Sequence, residues 1–78
     1  MIGRICQIVE EKGFFFVRVD VDPADNNGKP TRDYFAHRSA LRGTRFEDLR
    51  KDMPVEFVED PHAQRGPRAE EVRVVPEL

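Results

Sequence analysis

Residues 14–21 read Phe-Phe-Phe-Val-Arg-Val-Asp-Val and alternate with a period of two. Successive side chains of a strand point to opposite faces, so Phe15, Val17, Val19 and Val21 form one face and Phe14, Phe16, Arg18 and Asp20 the other. The same reading predicts strands over residues 3–9, 32–37, 54–60 and 68–75. In the third strand Tyr34 and Ala36 face one way, and Asp33, Phe35 and His37 the other. In the fourth, Val55 and Phe57 face inward. The fifth needs a bulge, because Ala69, Val72 and Val74 cannot share a face under strict alternation. Residues 10–13 read as a turn. Residues 22–31 read as a loop, with Pro23 and Pro30 unable to donate to a ladder and Asn27-Gly28 as the hairpin turn. Residues 38–53 are too broken for a long helix: Ser39 is placed to cap a short turn around Ala40 and Leu41, Gly43 interrupts, and 46–49 can form a second turn. The expected fold is all-β, a five-stranded antiparallel barrel closed to remove its edges, with short 3-10 turns in the connector after strand three.

The alternation leaves an unexplained surface. If strands two and three form a hairpin, their outer faces bring together Phe14, Phe16, Phe35 and His37, with Lys12, Arg18 and Arg38 at the border. Each Phe is worth about 1.5–3 kcal/mol if buried, and a contiguous exposed patch marks a binding surface. Rings edged by cations suit single-stranded nucleic acid: every base has a π-face to stack, and Lys or Arg can meet phosphates. Two other readings stay open. The long loop or the connector can cover the rings, or a protein partner or second copy can pack on them.

Composition narrows the choices. The chain has 78 residues, which fits a single domain over 1–78 with one thin core. A net charge of −2 with an apolar pattern argues against disorder; it leaves open whether positive charge gathers on one face. The longest apolar run covers residues 14–17, too short to span a membrane. The N-terminus carries acids by residue 10 and no small-residue cleavage site, so no signal peptide is expected. The one cysteine, Cys6, cannot form an internal disulfide, and a reducing, cytoplasmic setting follows. Cys6, His37 and His62 cannot supply an ordinary four-ligand zinc site. The acidic 22–31 loop lacks calcium-loop spacing. Neither a metal nor another cofactor is expected. Asp33 and His37 share a strand face without a nucleophile beside them, and no phosphate-binding glycine loop is present, so an enzyme is not expected.

At this point the residues match a family. The chain resembles the cold-shock domain, an OB-fold barrel that binds single-stranded nucleic acid, over residues 3–75. The lysine-glycine-phenylalanine-glycine-phenylalanine-isoleucine motif of that family reads Lys12-Gly13-Phe14-Phe15-Phe16-Val17. Its third-strand motif reads Asp33-Tyr34-Phe35-Ala36-His37-Arg38-Ser39-Ala40. A later phenylalanine before an acidic turn corresponds to Phe46-Glu47-Asp48-Leu49. The closing glycine-proline signature corresponds to Gly66-Pro67-Arg68-Ala69-Glu70-Glu71-Val72.

The resemblance implies stacking by Phe14, Phe16, Phe35, His37 and Phe46, with further contacts at Lys12 and Asp33. Arg18, Arg38, Arg42 and Arg45 are added as phosphate contacts from their charge and position. The implied protein is a cytoplasmic monomer that partners single-stranded RNA or DNA with low sequence specificity, as a nucleic-acid chaperone or regulator of transcription or translation. Gln7 stands where the family has a tryptophan, Ile8 and Arg38 where it has phenylalanines, Cys6 where it has a lysine, and Phe15 at the motif's second glycine. Losing two ring platforms removes on the order of 2–4 kcal/mol of stacking. Those losses, with the acidic 56–60 and 70–71 stretches, motivate the alternative of a protein-interaction module or homodimer on the same face.

Overall fold

A computed structural model of the protein describes residues 1–60 and 67–75. Five strands run along the chain: β1 (Ile2–Val9), β2 (Phe14–Asp20), β3 (Thr31–His37), β4 (Pro54–Glu59) and β5 (Ala69–Val74). They form one sheet in the order β3-β2-β1-β4-β5, and every neighbouring pair is antiparallel. The sheet curls so that its β3 and β5 edges meet. Phe35 N–H donates to the Pro67 carbonyl at 3.1 Å, and isolated parallel bridges join Phe35 to Arg68 and Leu41 to Val72. This is a barrel-like OB-fold whose ladder stops short of a continuous ring, because the seam pairs parallel segments at two points only. Among the described residues no helix is long and apolar enough to cross a membrane. The turn-rich segment 61–66, with His62 and the Gly66 of the closing signature, lies outside the described residues.

The inner faces fill the barrel as alternation dictates. Phe15, Val17, Tyr34, Val55 and Val72 are wholly buried, and Phe57 and Ala69 join them. Gly3 permits this closeness: a Cβ there would lie 2.7 Å from the Arg18 carbonyl and 2.8 Å from Val17 Cγ1. Two bulges keep apolar residues inside. In β5, Glu56 pairs with Arg73 but Val58 pairs with Glu70, so β5 gains a residue and Glu71 takes φ 49°. In β1, Ile5 pairs with Val17 but Gln7 pairs with Phe16, leaving Cys6 as the extra residue. That second bulge, which the sequence reading did not foresee, puts Ile8 against the same core as Ile5 despite their three-residue spacing.

The connections follow expectation in all but one detail. Asn27 and Gly28 turn with positive φ inside the expected loop. The ladder ends at Asp20 and Thr31, and the intervening loop is organised by its own bonds: Asp22 caps the Pro23–Asp25 turn, and Asn26 Nδ2 donates to the carbonyls of Lys29 and Thr31. The connector holds the two expected 3-10 turns, Arg38–Ala40 and Phe46–Asp48. The cap of the first is His37 and not Ser39, because the turn begins one residue earlier and His37 Nδ1 accepts from Ser39 N–H.

Phe15 is fully buried while Phe14 is half-buried on the outer face. Phe15→Ala is therefore expected to lower the unfolding free energy by about 3–5 kcal/mol in urea titration. Phe14→Ala is expected to cost clearly less. Equal losses would contradict this inside–outside division.

Candidate nucleic-acid interface

The β2–β3 register builds the outer face in three cross-strand rows: Phe14 opposite His37, Phe16 opposite Phe35, and Arg18 opposite Asp33. Directly opposed residues have neighbouring side chains, so alternation along the strands brings the rings together. Phe14 and Phe35 lie 5.2 Å apart between centroids, Phe14 and Phe16 5.7 Å, and Phe16 and Phe35 5.9 Å. Both contacts of Phe16 are edge-to-face, the arrangement that ring quadrupoles favour. Each ring stays half-buried on the sheet exterior. The loop 22–30 and the connector leave this face open to that extent.

His37 completes the first row. Its Nδ1 accepts from Ser39 N–H at 3.2 Å and lies 2.9 Å from Ser39 Oγ. The imidazole is thus tethered by the turn that follows it. Phe46 is placed differently. Its ring packs 6.4 Å from that of Phe15 and against the core cluster, at the connector and not within the triangle of Phe14, Phe16 and Phe35.

The polar residues divide between two ends of the face. At the Phe14–His37 end, Lys12 is exposed just before Gly13, whose φ of 69° closes the Glu10–Lys12 turn. Arg38 N–H donates to the Gly13 carbonyl at 2.9 Å, and its side-chain stem lies across Gly13: a Cβ there would stand 3.0 Å from Arg38 Cδ. At the other end Arg18 and Asp33 form a two-pronged pair, Nε to Oδ1 at 2.9 Å and Nη2 to Oδ2 at 3.3 Å. Those hydrogen bonds and the carboxylate charge hold the Arg18 guanidinium above its ordinary pKa. Arg42 and Arg45 belong to the connector. Arg42 Nη1 donates to the carbonyls of Ser39 and Leu41, and Arg45 lies 3.7 Å from Asp48.

Charge is unevenly spread despite the net −2. Residues 38–51 contain Arg38, Arg42, Arg45, Arg50 and Lys51 against Glu47 and Asp48, whereas β4 and β5 carry Glu56, Glu59, Glu70 and Glu71 against Arg73. Two neighbours of the rings escaped the sequence reading. Val9 pairs with Phe14 across β1, and Arg68, bonded to Glu70 at 3.0 Å, bridges to Phe35 across the seam. The β1 bulge and the β5–β3 approach place them there; the first is signalled only by the Ile5–Ile8 spacing, and the second has no local signal.

No family model matches the chain. Individual relatives do. The chain is 36% identical over 73 residues to the cold shock-like protein CspC of Escherichia coli strain K12, covering 94% of this chain and 93% of that protein. The same figures hold for the cold shock-like protein CspC of Salmonella typhi.

The departures on β1 have visible settings. Gln7 is exposed directly across from Phe16. Cys6 is half-buried at the bulge, with Sγ 3.6 Å from the Phe16 carbonyl. Burial chiefly, and then the negative charge of Asp33, push its thiol above the ordinary value. The folded state thus favours the protonated thiol. The associated stability is fully present below the ordinary thiol pKa and is lost as pH rises past it. Iodoacetamide at pH 8 is expected to alkylate Cys6 more slowly in native protein than in urea-unfolded protein. An equal or faster native rate would show an activated thiol.

Proposed function

The chain belongs to the cold-shock protein family, and on that premise we propose that it binds single-stranded RNA or DNA across the outer face of β1–β3. Bases stack on Phe14, Phe16, Phe35 and His37. Lys12 and Arg38 meet phosphates at the first row, and Arg42 and Arg45 extend positive charge along the connector. The observation that carries this reading is the ring triangle, three phenylalanines within 5.9 Å of one another and half-exposed on a sheet exterior. Stacking supplies on the order of 1–3 kcal/mol per base with little demand on sequence, which fits low specificity.

Such a protein needs no energy source. Binding the single strand and not the duplex shifts the strand equilibrium by mass action, which is the work of a nucleic-acid chaperone or of a regulator of transcription or translation. We place it in the cytoplasm, acting as a monomeric binding module and not as an enzyme. Phe46, packed on Phe15, acts at the edge of this path by setting the connector's position and offering its own exposed part to the strand.

Fluorescence anisotropy of labelled oligo-U and oligo-dT tests the reading. Wild type is expected to bind, with affinity falling as salt rises. Phe14→Ala and Phe35→Ala are each expected to weaken binding by about 1–3 kcal/mol while remaining folded. Absence of binding at low salt would refute the proposal and turn attention to a protein partner on the same rings. Gln7→Trp, which restores a ring across from Phe16, is expected to tighten binding by a similar amount. No gain would mean that β1 lies off the path of the strand.

A further inference from the structure

Resting on the binding reading above, we propose that the Arg18–Asp33 ion pair is a third tier of the platform: a flat hydrogen-bonded plate that receives a nucleobase on its face, with Arg18 not acting as a phosphate contact. The pair occupies the cross-strand row that follows Phe16–Phe35, on the same outward face. Two parallel bonds at 2.9 and 3.3 Å hold the guanidinium and carboxylate close to one plane. Guanidinium planes stack on aromatic faces, and bases of single strands stack on them. The side chains remain 53% and 45% exposed, so the plate is open to a ligand.

Charge argues the same way. Asp33 sits 2.9 Å from Arg18 Nε, and the pair is formally neutral. A phosphate approaching Arg18 meets the carboxylate as well, whereas a neutral base does not suffer that repulsion. The bonds use Nε and one proton of Nη2. The Nη1 protons and the second Nη2 proton point outward in the plane of the plate and leave its face free for the base. The plate lies on the same sheet face as Gln7, the position that carries a ring in the family pattern. It extends the stack along β2 and β3 where β1 offers none.

Salt-dependent binding of labelled oligo-dT separates the two roles of Arg18. The double variant Arg18→Gln with Asp33→Asn removes the plate without changing net charge. It is expected to weaken binding about fivefold or more, with the slope of log affinity against log salt unchanged. Arg38→Gln, as a comparison, is expected to flatten that slope by about 0.7. The exchange Arg18→Asp with Asp33→Arg rebuilds the pair in reverse and is expected to regain most of the lost affinity. Thermal melting checks that each variant is folded. A double variant that flattens the slope as Arg38→Gln does would make Arg18 a phosphate contact and overturn the proposal. So would an unchanged affinity, or a folded exchange variant that recovers nothing. Failure of wild type to bind at low salt would instead bring down the binding reading itself, and the plate with it.

Discussion

The pairing of β2 with β3 is the constraint on which everything else rests. Seven consecutive residue pairs, from Phe14–His37 to Asp20–Thr31, lie in unbroken register. Because side chains alternate, a slip of one residue in β3 would exchange its two faces relative to β2. Tyr34 and Ala36 would leave the core, and Phe35 and His37 would enter it. Burial of Phe15, Val17, Tyr34 and Ala36 therefore holds Phe14, Phe16, Phe35 and His37 outside. The energy of the core is what keeps the rings of the site in the open.

This division explains why a small barrel can keep exposed aromatic rings. Three phenylalanines in succession supply one side chain to the inner face and two to the outer. The outer pair is not fully exposed, since contacts with Phe35 shield part of each ring. The residual exposure is the part that can exchange water for a base. Phe15 in turn extends the core toward the connector, where Phe46 packs against it. Phe46 therefore belongs in part to the core, through its contact with a ring that stands at the second glycine of the family motif.

The two ends of the site are chemically unlike. Lys12 and Arg38 gather around Gly13 at one end, while Arg18 and Asp33 neutralise each other at the other. A chain with net negative charge can still present a cationic approach, because residues 38–51 carry five cations against two acids. Position relative to the rings matters here more than the total.

Much of this was legible along the chain. Period-two alternation located the five strands to within a residue or two, assigned Phe15 inward and Phe14 and Phe16 outward, and placed Phe35 and His37 beside them. It succeeded because strand geometry is local and repeats every two residues. The three-residue spacing of Ala69 and Val72 announced the β5 bulge. The same spacing at Ile5 and Ile8 carried the β1 bulge, masked by polar neighbours that suited either face. Other features depended on contacts between residues distant in sequence. The bond between Arg18 and Asp33, the stem of Arg38 over Gly13, the contact of Phe46 with Phe15 and the meeting of Arg68 with Phe35 arise from register and from the curl of the sheet. Pattern says which face a residue takes. Which partner it finds there depends on how strands align and how the sheet bends, and those are settled by packing the whole core at once.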